Sequence, residues 1–145
     1  MKFLLVLSLL FGLSTPEWFH NYDDVVQLAK KDHKHILLNF SGSDWCGPCI
    51  RLQNEVFTTT DFKKLADASL VLLNADFPRN KKNQLSPNQQ KINDALADKY
   101  NSQGAFPYTV LLNENGKVIK AWDGFQKKTI GDFISDIQAA IEADK

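Results

Sequence analysis

A chain of 145 residues is long enough to bury one core unaided and fits a single domain. Hydrophobic content of 43% against 23% charge excludes broad disorder. Seventeen basic residues balance seventeen acidic ones, and no basic cluster interleaves with aromatics, so the composition argues against a nucleic-acid groove or an anionic membrane surface.

The chain opens on Met1-Lys2, an apolar stretch from Phe3 to Leu13, and the small residues Gly12 and Ser14. A positive start, a short apolar run and a small-residue boundary read as a secretory signal peptide over 1–14. The run is too short to span a bilayer, which needs about 20 apolar residues. The remainder, 15–145, reads as one domain exported from the cell, periplasmic in a Gram-negative bacterium and secreted otherwise.

Residues 17–32 carry Phe19, Tyr22, Val25, Val26 and Ala29 at three- and four-residue spacings, which predicts an amphipathic helix. Asp23 and Asp24 near its start and Lys30, Lys31 and His33 at its end suit the helix dipole. The apolar run His35 to Phe40 predicts a buried strand. A helix follows from Cys46, with Leu52 and Val56 on the Cys49 face and a break expected at 58–60. Leu70 to Phe77 predicts a second strand, and Pro78 to Leu85 a polar excursion bearing Arg79, Lys81 and Lys82, read as a solvated loop.

Ser86-Pro87-Asn88-Gln89 combines a cap, a proline at the first helical position and a glutamine at the third. The helix it opens presents Ile92, Ala95, Leu96 and Tyr100 on one face. Tyr108 to Leu112 predicts a strand, Asn113-Glu114-Asn115-Gly116 a hairpin turn, and Lys117 to Trp122 the returning strand. A closing helix over Lys127 to Ala143 would turn Ile130, Phe133, Ile134, Ile137 and Ile141 inward. The order helix, β, α, β, α, β, β, α predicts an α/β fold. It would have a central mixed four-stranded sheet flanked by helices on both faces, with an extra N-terminal helix.

Cys46 and Cys49 are the only two cysteines, within Trp45-Cys46-Gly47-Pro48-Cys49. A strand leading into C-x-x-C puts the first sulfur at a helix N-terminus, where free N–H groups and the dipole favour thiolate over thiol. The second lies one turn on, over roughly the same face, so the pair can close or open a small disulfide. A bridge across two residues constrains almost nothing, which assigns the pair to catalysis rather than structure. A metal site is the weaker reading. Two thiolates fall short of the four ligands of structural zinc, and His20, His33 and His35 read as surface or strand-edge residues. A redox-inert interaction module is weaker still, since it has no use for both cysteines.

The order of elements, the W-C-G-P-C motif after the first core strand and Phe106-Pro107 before the hairpin resemble the thioredoxin superfamily. The likeness runs from about residue 17 to the end. Its nearest form is that of exported thioredoxin-like proteins, such as the C-terminal thioredoxin domain of DsbD-type reductant conductors and disulfide isomerases. The resemblance implies that Cys46 is the exposed nucleophile and Cys49 the resolving thiol. It also implies that Trp45, Gly47 and Pro48 flank the substrate, and that Pro107 is a cis-proline facing the cysteines with Phe106 offering backbone to an extended substrate. The implied activity is reduction of protein disulfides, with isomerase or oxidase as alternatives. No cofactor beyond the redox-active pair is implied. Partners would be protein thiols or disulfides and an upstream electron donor, and a monomer is expected.

One departure stands out. Thioredoxins carry a buried aspartate where this chain has Asn39, one extra residue separates it from the motif, and the lysine partner corresponds to Leu72. With no carboxylate there, the proton acceptor for Cys49 becomes water or another group. Asp44 and Glu55, the nearest acids, read as solvated carboxylates.

Overall fold

The computed structural model describes residues 15–125 and 130–145. The signal peptide read over 1–14 lies outside them, as do residues 127–129 of the predicted closing helix. Five strands form one mixed sheet in the order β1-β3-β2-β4-β5. These are β1 (Trp18–Phe19), β2 (His35–Ser41), β3 (Leu70–Asp76), β4 (Tyr108–Leu112) and β5 (Val118–Asp123). The helices are α1 (Tyr22–Asp32), α2 (Gly47–Leu52), α3 (Thr60–Ser69), α4 (Pro87–Tyr100) and α5 (Ile130–Ala143).

The sheet therefore has five strands, not four. Trp18 and Phe19 pair in parallel with Leu72 and Leu73 instead of opening a helix. The first helix begins only at Tyr22, where the Asn21 side chain accepts the N–H groups of Asp23 and Asp24. That cap satisfies two donors that a helix begun at residue 17 would have kept internal.

Both faces of the sheet are covered. Leu37, Leu72 and Leu111 point to one side, against Leu52 and Val56 and against Phe133 and Ile137 of α5. Ile36, Leu38, Leu73 and Val110 point to the other, with Val25 and Ala29 of α1 and Leu96 of α4. This alternation is the two-residue period of extended backbone, and near-continuous apolar strands are what a sheet covered on both faces requires.

Other boundaries followed the sequence closely. Ser86 caps α4 by accepting from Gln89 N–H at 3.2 Å, and Asn113 closes the hairpin turn by accepting the N–H groups of Asn115 and Lys117. Gly116 sits there at φ +79°, and a Cβ on it would strike the Tyr22 hydroxyl. Two inward assignments changed. Ala95 and Ile130 are exposed, whereas Asn93 is buried and donates Nδ2 to the Asp76 carbonyl at 2.8 Å.

Candidate active site

The site forms where β2 ends. Antiparallel pairing of Phe40 with Tyr108 sets the start of β4 beside that end, so Phe106 and Pro107 arrive next to the chain that runs into Cys46. Cys46 caps α2, with Gly47 and Pro48 as its first two residues. Its Sγ lies 3.3 Å from the Cys49 N–H, which donates to it, and the two cysteines are joined as a disulfide with Cα atoms 5.2 Å apart. A donor aimed at the sulfur favours the charged form once the bond is open. Pro at this position wastes no hydrogen bond, because the first turn's N–H groups have no intrahelical acceptor.

Closed as a disulfide, both cysteines are buried. Cys46 is 5% exposed and Cys49 3%. The two also differ in position, Cys46 at the cap and Cys49 on the inward face with Leu52. Helix α2 passes into a π-helical turn over Gln53–Phe57, which delivers Val56 and Phe57 to the core. The expected break follows it, where Thr58 and Thr59 hydroxyls donate back to the carbonyls of Asn54 and Val56, each at 2.7 Å.

Trp45 is held on three sides. Its indole N–H donates to the Phe77 carbonyl at 2.7 Å. Its ring meets Phe106 edge-on with centroids 5.5 Å apart, and Phe106 in turn meets Phe77 at the same separation. Gly42 lies against the indole, where a Cβ would overlap the ring. The Phe106–Pro107 peptide is cis. All seven residues singled out from the sequence thus converge on one end of the sheet.

Beneath them, Asn39 is 5% exposed. Its Oδ1 accepts from the Thr109 hydroxyl at 3.3 Å and its Nδ2 donates to Asn74 Oδ1 at 3.5 Å. The register places Asn74 beside Asn39 and Leu72 beside Leu37, so the polar partner of Asn39 is an amide, not the Leu72 position. Two-residue alternation from Leu37, Leu72 and Leu111 puts this trio on the sheet face covered by α2. All three members are uncharged at any ordinary pH.

Asp44 and Glu55 have other occupations. Glu55 pairs with Arg51 one turn back, 3.2 Å away and exposed. Asp44 is a surface carboxylate, as expected, that also serves as a tether. It accepts the backbone N–H groups of Arg79 and Asn80 at 2.9 Å each and the Asn83 side-chain amide at 3.0 Å. The Arg79 N–H foremost, then the Asn83 amide, holds its carboxyl below the usual value. Asp76 repeats the arrangement toward Ser43, accepting its N–H at 2.9 Å and its hydroxyl at 2.5 Å. Sequence reasoning missed this lacing, since its partners lie more than 30 residues apart. Among the described residues no group of three or more His, Cys, Asp or Glu side chains is placed to hold a metal.

A mixed sheet with helices on both faces and a C-x-x-C disulfide at a strand-to-helix junction define a thioredoxin-fold dithiol protein. The family model of the thioredoxin-like domain matches residues 22–134, and the chain belongs to that family. It is 32% identical over 126 residues to the disulfide bond reductase DsbH of Chlamydia pneumoniae, covering 87% of this chain and 73% of that protein. The thioredoxin-related protein DsbJ of the same organism is 25% identical over 127 residues, but the match spans 88% of this chain and only 36% of DsbJ. A solved structure of a DsbH oxidoreductase aligns with a TM-score of 0.81 at 27% identity, over 98% of this chain and 95% of that one. A thioredoxin from Thermus thermophilus shares the fold at a TM-score of 0.63 and 16% identity, over 87% of each chain. With the Cys46–Cys49 disulfide, these likenesses establish a thiol-disulfide oxidoreductase.

Proposed function

We propose that the protein is an exported reductase of protein disulfides. In the dithiol form, the Cys46 thiolate attacks one sulfur of a substrate disulfide. The substrate S–S bond breaks, the departing thiolate takes a proton, and a Cys46–substrate mixed disulfide remains. The Cys49 thiolate then attacks Cys46 Sγ, releasing the second substrate thiol and re-forming the Cys46–Cys49 bond. Two electrons and two protons pass to the substrate, and an upstream dithiol donor restores the pair.

The observation that carries this reading is the Cys46–Cys49 disulfide at the N-terminus of α2, beside Trp45 and Phe106. The reducing direction is supported by Gly47-Pro48, the dipeptide that resembles the reducing members of the superfamily, and by the relative named a disulfide bond reductase. Trp45, Gly47, Pro48, Phe106 and Pro107 are the residues that would meet an extended substrate. Export is supported by the apolar stretch Phe3 to Leu13 behind Lys2. Among the described residues no helix is long and apolar enough to cross a membrane.

Insulin reduction with dithiothreitol tests the reading. Wild type should shorten the lag before turbidity, and Cys46→Ser should match the uncatalysed control. A wild type that behaves like Cys46→Ser overturns the reductase.

A further inference from the structure

The two loops laced by Asp44 and Asp76 fix more than the tryptophan. Asp44 takes the N–H groups of Arg79 and Asn80 and so sets the backbone of Arg79. The guanidinium carbon then lies 3.6 Å from the centroid of the Trp45 ring. A long exposed side chain ordinarily samples many rotamers; this one is held at its root by a carboxylate and at its tip by an aromatic face. The Asp44 oxygens are engaged by three N–H donors and those of Asp76 by Ser43. Among the described residues, no carboxylate lies within 4.0 Å of the Arg79 guanidinium. Lys81 and Lys82 follow in a short 3-10 turn, both exposed. A positioned planar cation with no carboxylate against its guanidinium therefore stands over the indole of Trp45, the residue next to Cys46 and the ring that abuts Phe106.

We propose that Arg79, with Lys81 and Lys82 behind it, selects substrates that carry an acidic side chain next to the target cysteine. The partner is an extended protein segment lying along Trp45 and Phe106, with its carboxylate received by the guanidinium fork, whose five N–H donors match carboxylate geometry. The two lysines add field rather than contact, drawing acidic segments toward the site. This selection rests on the reductase reading of Cys46 and Cys49.

Three disulfide-linked peptides, identical but for Asp, Ser or Lys beside each cysteine, test it with the full chain and dithiothreitol as reductant. Wild-type kcat/KM should fall in the order Asp, Ser, Lys, by about three- to fivefold per step at low salt, the effect of one exposed ion pair. The spread should collapse near 1 M salt, where charges are screened beyond about 3 Å. Arg79→Gln should bring the Asp-to-Lys ratio toward one, and Arg79→Glu should invert it. The ratio is read within each variant, so a loss of folded protein does not move it. An Asp-to-Lys ratio of one in the wild type, or an equal ratio in wild type and Arg79→Gln, overturns the proposal. No reduction of any peptide by wild type overturns the reductase reading itself, and the proposal with it.

Discussion

Asn39→Asp restores the carboxyl that the resemblance leads one to expect, and the structure says what that should do. The position is 5% exposed, and its two contacts are the Thr109 hydroxyl at 3.3 Å and the Asn74 amide at 3.5 Å. Neither is a cation. Burial should therefore outweigh hydrogen bonding and raise the new carboxyl above the ordinary Asp value of about 3.9. At low pH the acid is protonated in both states and stands in closely for the amide. As pH rises through about 3.9 the unfolded chain ionises first, so stability relative to wild type falls until the folded carboxyl also ionises, and then levels off. Each tenfold change in the acid's ionisation constant that burial imposes corresponds to a loss of about 1.4 kcal/mol, developing as pH rises above about 4. Urea denaturation of wild type and variant in the disulfide form, at one-unit steps from pH 4 to 8, reads this difference. A difference that stays flat with pH would mean that the position is hydrated or charge-compensated, against the neutral trio described above.

Three further outcomes follow from the loops and the core. Gly42→Ala drives a methyl into the Trp45 indole; it should lower stability by about 1–3 kcal/mol and shift tryptophan emission, and an unchanged spectrum would contradict the packing. Asn93→Ala leaves the Asp76 carbonyl without its 2.8 Å donor at a position 2% exposed, which should cost about 1–3 kcal/mol in chemical denaturation. The Asp44 tether should loosen in acid. Its carboxyl is depressed by the Arg79 and Asn83 donors, so its contribution is full above the ordinary carboxylate value and is lost as pH falls through the lower folded one. Protection of the Arg79 and Asn80 amides, taken relative to intrinsic exchange at each pH, should fall at acid pH in wild type and be low throughout in Asp44→Ala.

The parts of the fold that were legible in the sequence are those governed by local signals. The apolar runs of β2, β3 and β4, the Ser86 cap and the Asn-Gly turn state their structure within a few residues, and Trp45 to Cys49 declares the site. Two-residue β1 was hidden because Phe19, Tyr22, Val25 and Val26 also satisfy helical spacing; pairing with Leu72 and Leu73, more than 50 residues away, decided the matter. Asn93 was passed over because a polar residue counts against an inward face, yet it answers a carbonyl from β3. Asp44 and Arg79 are at the surface, as their charge suggests, but the bonds that lace them together carry no local signal. Each has its partner on the other loop, and no spacing rule connects positions 44 and 79.

As a reductase, the protein should run Cys46 and Cys49 toward reduction of other disulfides. The reduction potential of this couple, measured by equilibration with glutathione buffers and thiol labelling, tests that most directly. A reductase should give a value near the reducing end of the thioredoxin-fold range, around −270 mV. A value near the oxidising end, around −120 mV, would contradict it and make the protein a donor of disulfides instead.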